Sequence, residues 1–123
     1  MFRRIIATAA ILLLGGCAAT AQPISQESLA KAAFSAKAAY AGALIVAAPI
    51  VALPRCERFP APCVYQSTVN TIRKLDLAAD AATQAAEDAV RSLDGDTTLM
   101  KLVVDNAANA VKAFKTIVDK GGK

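Results

Sequence analysis

The chain has no histidine and no tryptophan, and four phenylalanines and two tyrosines are its only aromatic residues. Histidine is the commonest general base and the commonest transition-metal ligand, so its absence disfavours most hydrolytic and metal chemistry. Asp76 and Asp80, one helical turn apart, remain as a pair of carboxylates, but such pairs on a polar helix face are usually only solvated. We therefore expect a non-catalytic protein with no metal site and no dissociable cofactor.

Charge of either sign is also sparse. The chain has fourteen basic and ten acidic residues, and the net charge of +4 includes Arg3 and Arg4 in the N-terminal segment. Nucleic-acid binding requires a clustered basic face with interleaved aromatic residues. Neither feature is visible in the sequence, so we expect no nucleic-acid partner.

The N-terminus carries the most specific motif. A cationic Phe2-Arg3-Arg4 is followed by an apolar run, Ile5–Leu14, and then by Leu14-Gly15-Gly16-Cys17. This arrangement resembles the lipobox signal peptide of bacterial lipoprotein precursors. The resemblance implies removal of residues 1–16 and covalent attachment of fatty acyl chains such as palmitate to Cys17.

The same resemblance implies a location. Lipoproteins retained in the inner membrane often carry Asp after the lipidated cysteine, whereas this chain has Ala18. We therefore expect anchoring in the outer membrane of the cell envelope, facing the periplasm. Two alternatives remain open: a membrane-spanning helix, for which the apolar run is shorter than the usual 20 residues, and ordinary secretory cleavage at Ala19-Thr20-Ala21.

The two remaining cysteines, Cys56 and Cys63, lie in a segment that holds three of the five prolines. In an oxidising periplasm such a pair predicts a disulfide. Free thiols are the alternative, and a zinc site is disfavoured because only Glu57 is available beside the two thiols. The loop also presents side chains that we expect to contact a partner, unless it serves only as a structural clasp: Arg55, Glu57, Arg58 and Phe59.

Hydrophobic periodicity predicts an all-α fold, either an antiparallel three-helix bundle or a helical hairpin, with a disulfide-clasped Pro-rich loop. Residues 17–24 form a lipidated tether, 25–120 the helical domain, and 121–123 a tail. Predicted helices cover about 25–53, 64–93 and 97–120, with N-caps at Ser25 and at Asp96 or Thr97. The inward seam of the second helix is predicted as Ile72, Leu75, Ala79, Ala82, Ala86, Ala89 and Leu93. That of the third is predicted as Leu99, Leu102, Val103, Ala107, Ala110, Phe114, Ile117 and Val118.

Residues 38–53 contain no charge. We interpret this segment as a helix buried on most of its faces inside the bundle, and the alternative is insertion into a bilayer. Pro49 is expected to kink or end the helix near Ala48, because proline removes a backbone hydrogen bond and clashes with the preceding turn.

Together these features predict a small, non-catalytic envelope lipoprotein that acts as a binding, bridging or structural module. Its expected partners are the membrane, through the lipid, and an envelope protein or peptidoglycan, with self-association a further possibility. Cys17 and Lys123 give the chain a partial resemblance to the murein lipoprotein family, which implies cell-wall attachment through Lys123. The central proline and cysteine residues depart from that family. The alternative function is a membrane-active or inhibitory small lipoprotein of the lysis, immunity or exclusion type, with residues 38–53 in the bilayer.

Replacing Cys17 with serine tests the lipobox. We expect Cys17→Ser to abolish incorporation of labelled palmitate and to leave uncleaved precursor, because the thiol is the acceptor for the lipid. Labelling is measured on the immunoprecipitated protein, with Cys56→Ser as the matched control that keeps its label. Undiminished labelling of Cys17→Ser would contradict the motif.

Overall fold

Three helices make up the part of the chain that the computed structural model describes, residues 24–92 and 95–121. Helix α1 spans Gln26–Ala52, α2 spans Gln66–Arg91 and α3 spans Thr97–Gly121. Each helix packs against the other two, and the all-α, antiparallel three-helix bundle is confirmed. The predicted lipidation site Cys17 and the predicted attachment site Lys123 lie outside the described residues.

Two helices begin where the sequence predicts an N-cap. Ser25 Oγ accepts a hydrogen bond from the Ser28 amide at 3.2 Å, and Asp96 Oδ1 accepts one from the Thr98 amide at 2.8 Å. These side chains satisfy amides that the first helical turn leaves without a partner. Helix α2 begins after Tyr65, whose side chain makes no such bond.

Pro49 does not end α1, because the helix continues through it to Ala52, in agreement with the predicted range of about 25–53. A proline at this position removes the amide that would bond to the carbonyl of Ile45, four residues earlier. Ile45 lies on the solvent side, with 77% of its surface exposed. Water can therefore reach this part of the helix, and the proline is tolerated in the last turn.

The uncharged segment 38–53 is not buried on most of its faces, which corrects the sequence interpretation. Only one stripe of it is buried against α2 and α3, Val51 and Leu53 are half-buried beside the core, and the remaining apolar side chains face solvent, including Leu44, Ile45 and Val46. The buried stripe of α1 advances in steps of four and three residues over its whole length: Leu29, Ala33, Ala36, Tyr40, Ala43, Ala47 and Ile50.

The inward face of α3 is rotated from the predicted one. Leu99 and Leu102 are exposed, at 60% and 66%, while Met100 and Val104 are buried. The buried set repeats in steps of four and three through Phe114, and a straight helix cannot also bury residues one position out of step with it. Val103, Ala110 and Ile117 are half-buried. The buried residues of α3 are Met100, Val104, Ala107, Val111, Phe114 and Val118.

The seam of α2 is mostly as predicted. Ile72, Ala79, Ala82 and Ala86 are buried, Leu75 and Ala89 are half-buried, and Leu93 lies outside the described residues. The sequence reading missed three buried residues of α2: Val69, Thr83 and Val90. The Thr83 hydroxyl donates to the carbonyl of Ala79 at 2.9 Å, so this buried polar group is satisfied inside its own helix.

The core divides into two clusters of different character. One contains Tyr40, Ile72 and the fully buried Phe114, and the Tyr40 and Phe114 rings pack at a centroid distance of 5.8 Å. The other surrounds Met100 and is otherwise built mainly of alanine and valine. Large side chains contribute more buried apolar area, so we expect the largest single contributions to stability in the first cluster.

The two ends of the bundle hold different parts of the chain. Gln26 Nε2 donates to the Ser92 carbonyl at 3.3 Å, which places the start of α1 beside the α2–α3 connection. At the opposite end, a Cβ added to Gly121 would lie 3.6 Å from both Ile50 and Ile72. The 27 residues of α1 separate these ends by about 40 Å at 1.5 Å per residue.

Truncating Phe114 tests how much the first core cluster contributes to the free energy of unfolding. We expect Phe114→Ala to lower the free energy of unfolding by about 3–5 kcal/mol, because a fully buried ring is replaced by a cavity. Urea unfolding followed by circular dichroism measures the change. The matched control is Phe34→Ala on the solvent face of α1, which should cost less than about 1 kcal/mol. Equal effects at the two positions would contradict this description of the core.

Candidate functional site

Residues 54–64, between α1 and α2, form a loop that is closed by the predicted disulfide. We call this segment the disulfide loop. Cys56 and Cys63 are bonded, with Cα atoms 4.9 Å apart. The Cys56 amide donates to the Val64 carbonyl at 3.1 Å, and the Val64 amide donates to the Pro54 carbonyl at 2.9 Å. The two sides of the loop are therefore held together by backbone hydrogen bonds as well as by the covalent bond.

Arg55 closes the end of α1. Its Nη1 donates to the carbonyls of Leu53, at 2.6 Å, and Val51, at 3.3 Å. Its Nε donates to Gln66 Oε1 at 2.9 Å. A cation at a helix C-terminus also stabilises the negative end of the helix dipole. The structure therefore gives the guanidinium of Arg55 a role inside the fold, and its contact with a partner stays a prediction.

Glu57 performs the complementary task at the start of α2. Its Oε1 accepts a hydrogen bond from the Gln66 amide at 3.2 Å, which supplies the cap that Tyr65 does not provide. Bonds from its own backbone amide and from the Gln66 amide hold the pKa of the Glu57 carboxyl below its ordinary value, and Arg55 and Arg58 lower it further. The carboxylate is the form that accepts these bonds.

Arg58 and Phe59 are the outward part of the loop. Both are exposed, Phe59 by 55% of its surface. They line an open cleft of about 490 Å³ together with Arg55, Glu57 and Gln66. The structure therefore brings all four predicted contact residues together. The sequence reading missed Gln66, which it placed inside the second helix without seeing that the first turn of that helix borders the loop.

Tyr65 adds a further exposed aromatic side chain next to this loop in sequence, with 61% of its surface in solvent. Aromatic residues and arginine are both enriched at protein interfaces. Tyr65 was not predicted as a contact residue, because it lies inside the predicted range of the second helix, 64–93. An aromatic residue directly after a disulfide loop was the available signal.

Side chains of α1 contact the carboxylate pair of α2, Asp76 and Asp80. The Tyr40 hydroxyl donates to Asp76 Oδ1 at 2.7 Å. Burial raises the pKa of the Tyr40 phenol above its ordinary value of 10, and the bond to Asp76 and the charges of Asp76 and Asp80 raise it further. The hydroxyl therefore stays protonated and acts as a fixed donor between the two helices.

Lys37 of α1 lies close to the carboxylates of the same face of α2. Its Nζ is 3.9 Å from a carboxylate oxygen of Asp80 and 3.9 Å from one of Glu87, and 5.8 Å from the centroid of the Tyr40 ring. Gln84 donates to the other oxygen of Asp80 at 2.8 Å. Asp76 and Asp80 thus serve as polar contacts between α1 and α2, and no cavity is found between their carboxylates in the described part of the chain.

Two further observations concern metal ions and membranes. Within residues 24–92 and 95–121, no group of three or more cysteine, aspartate or glutamate residues is placed to hold a metal ion. Helix α1 is long and apolar enough to cross a membrane by length and composition, and 28% of its most apolar window is buried inside the bundle.

No protein-family model, curated protein or solved structure matches this chain. The function is therefore inferred from the motif at the N-terminus and from the geometry of the bundle.

Glu57→Gln tests the cap at the start of α2. The folded-state pKa of Glu57 lies below its ordinary value of 4.5, so its stabilising contribution is complete above pH 4.5 and is lost as the pH falls through the lower folded-state value. We expect the melting temperature of Glu57→Gln to lie below that of the parent at pH 7 and the difference to shrink below pH 4.5.

Phe59→Ala is the control for this experiment, because it changes the same loop without changing a carboxyl group. Its melting temperature should differ from that of the parent by the same amount at every pH. Thermal melts followed by circular dichroism from pH 7 to pH 3 measure both differences. A Glu57→Gln difference that is independent of pH would contradict the role of the carboxylate.

Proposed function

We propose that the protein is a lipid-anchored envelope protein that bridges its membrane to the cell wall through the disulfide loop. The lipobox-like sequence ending at Cys17 supports the anchor, and it supports placement in the outer membrane facing the periplasm. Acyl chains on one cysteine give stable anchoring without a membrane-spanning helix when more than one chain is attached. No catalytic step is needed for this function.

The observation that carries the proposal is the polarity of the bundle. The tether from Cys17 reaches the described structure at Ile24, at the end where Gln26 meets Ser92. The disulfide loop follows the other end of α1, about 40 Å away at 1.5 Å per residue. The acyl anchor and the loop are therefore attached to opposite ends of the bundle. This separation gives the loop reach away from the membrane surface.

The chemistry of the loop fits an acidic, partly apolar partner. Arg58 supplies an exposed guanidinium that can bind a carboxylate through two parallel hydrogen bonds, and Phe59 supplies an exposed ring. Peptidoglycan stem peptides carry free carboxylates. Gly121, the last residue that the structure describes, lies at the same end of the bundle as the loop.

The second candidate function is membrane insertion by residues 38–53. The exposed apolar face of α1, with Ile45 exposed by 77%, favours it. The contacts of Tyr40 with Asp76 and with Phe114 oppose it, because α1 must give up its buried stripe and these contacts to enter a bilayer alone. We favour the bridging function for this reason.

Co-sedimentation of vesicles with purified peptidoglycan sacculi tests the bridge. Acylated full-length protein is reconstituted into fluorescent vesicles, which are mixed with sacculi and centrifuged at low speed. We expect the parent protein to carry vesicles into the pellet and Cys17→Ser to leave them in the supernatant. The double variant Arg58→Ala/Phe59→Ala should still bind vesicles but should reduce the pelleted fluorescence at least fivefold.

The matched control is Arg91→Ala/Leu77→Ala, which removes one arginine and one large apolar side chain from exposed positions on α2. It should pellet vesicles as the parent does. The attachment implied by the murein lipoprotein resemblance is covalent and is tested on sacculi isolated from cells, from which deletion of Lys123 should release the protein. Vesicles that remain in the supernatant with the parent protein would overturn the cell wall as the partner.

A further inference from the structure

The fold separates the charged residues of the chain by sign. The two core clusters divide the described residues into a loop half, 40–79 and 109–121, and a half that we name the anchor half for the proposed lipid, 24–39, 80–92 and 95–108. The loop half contains seven lysine and arginine residues and three acidic ones, whereas the anchor half contains four and six. Six of the seven basic side chains are exposed: Arg58, Arg73, Lys74, Lys112, Lys115 and Lys120.

The basic side chains of the two halves also differ in their partners. Every ion pair in the described part of the chain lies in the anchor half: Glu27 with Lys31, Lys37 with Asp80 and Glu87, and Lys101 with Asp105. In the loop half, two of the three carboxylates are held by the fold, since Glu57 caps α2 and Asp76 bonds to Tyr40. The positive charge of the loop half is therefore not neutralised by ion pairs within the bundle.

Two of these lysines line an open cleft on α3, which we call the α3 cleft. Its volume is about 410 Å³, and it is lined by Asn109, Lys112, Ala113, Thr116, Ile117 and Lys120. The Thr116 hydroxyl donates to the carbonyl of Lys112 at 2.8 Å. The donors that remain for a ligand are therefore the two ammonium groups and the amide of Asn109. This donor set fits an anionic group.

The cleft is close to the end of the bundle that holds the disulfide loop. Lys120 precedes Gly121, where an added Cβ would lie 3.6 Å from Ile50 in the last turn of α1. Lys112 lies about 12 Å further along α3 at 1.5 Å per residue. The sequence does not show this grouping, because the loop and the lysines of α3 are separated by all of α2.

We infer that the α3 cleft is a second binding site for the carboxylates of the cell wall, and that it acts together with the disulfide loop. This inference rests on the proposed function. Peptidoglycan carries carboxylates on successive stem peptides, so one wall segment can offer a carboxylate to the loop and another to the cleft. Arg58 supplies a planar, two-pronged contact, whereas lysine is a flexible point charge that does not require one fixed geometry.

The two sites need each other for a physical reason. An exposed ion pair contributes little by itself, because water and salt screen it. Once the loop has bound one carboxylate, the cleft meets the next at the effective concentration set by the first contact. Binding should therefore depend steeply on ionic strength and on the lysines of the cleft.

Vesicle co-sedimentation with sacculi tests the α3 cleft. Full-length acylated protein is reconstituted into vesicles of neutral phosphatidylcholine, so that its cations do not bind the bilayer that carries them. We expect Lys112→Gln/Lys120→Gln to reduce the pelleted fluorescence at least threefold and Lys112→Arg/Lys120→Arg to pellet vesicles as the parent does. The matched control is Lys31→Gln/Lys101→Gln, which lowers the net charge equally in the anchor half and should leave pelleting unchanged.

Each contrary result has a separate meaning. Equal losses in the two glutamine variants would overturn the site, since they indicate a response to net charge alone. An equal loss in the arginine variant would overturn it in favour of a structural role of the lysines. Undiminished pelleting of Lys112→Gln/Lys120→Gln overturns the α3 cleft and leaves bridging through the loop intact. A parent protein that does not pellet refutes the proposed function itself, so the two failures are distinguishable.

The parent protein alone gives a second test. Raising NaCl from about 50 mM to about 500 mM shortens the range of electrostatic attraction and should lower the pelleted fluorescence at least tenfold. Sacculi whose carboxylates are amidated with ethanolamine and a carbodiimide should show the same loss at low salt. Pelleting that neither treatment changes would overturn the role of charge. Sucrose-loaded phosphatidylglycerol vesicles that pellet the protein as well as sacculi do would overturn the cell wall in favour of an anionic bilayer.

Discussion

Close approach of alanine-rich helix faces is the constraint on which this bundle depends. An alanine buries little area, so a seam built from Ala33, Ala79, Ala86 and Ala107 stabilises the fold only if the helices are nearly in contact along their length. The few large side chains must then fit the narrow space that remains. Phe114 does so at one end of the bundle, where it fills the gap beside Tyr40. The polar contacts between Tyr40 and Asp76, and between Lys37 and the α2 carboxylates, lie on the rim of the same seam.

The sequence predicted the helices and the seam of α2 well, and the inward faces of α1 and α3 poorly, for one physical reason. Helix ends are set by local chemistry, such as the Ser25 and Asp96 caps and the prolines of the disulfide loop, and local chemistry is legible in the sequence. Rotation is set by contrast between polar and apolar positions. Segment 38–53 has no such contrast, so its periodicity could not identify the buried stripe. In α3, Leu99 and Leu102 are more hydrophobic than their neighbours, but the continuous repeat through Phe114 decided which face is buried.

The disulfide loop was located correctly, but the division of labour within it was not predictable. Arg55 and Glu57 are charged residues between prolines, and in a sequence such residues resemble a contact surface. Once the loop is closed, the unpaired carbonyls at the end of α1 and the unpaired amides at the start of α2 come within reach of these two side chains. The requirement that helix ends be satisfied therefore gives Arg55 and Glu57 hydrogen bonds inside the fold, whereas Arg58 and Phe59 stay exposed.

The exposed surfaces of the bundle lie in different places. The disulfide loop lies at one end, whereas the exposed apolar side chains of α1, among them Phe34, Ile45 and Val46, lie along the side. The proposed lipid anchor is attached at the opposite end, where Gln26 meets Ser92. In the proposed bridge, a partner bound at the loop therefore leaves the side of the bundle uncovered, and the distance between the two ends keeps the loop away from the membrane surface.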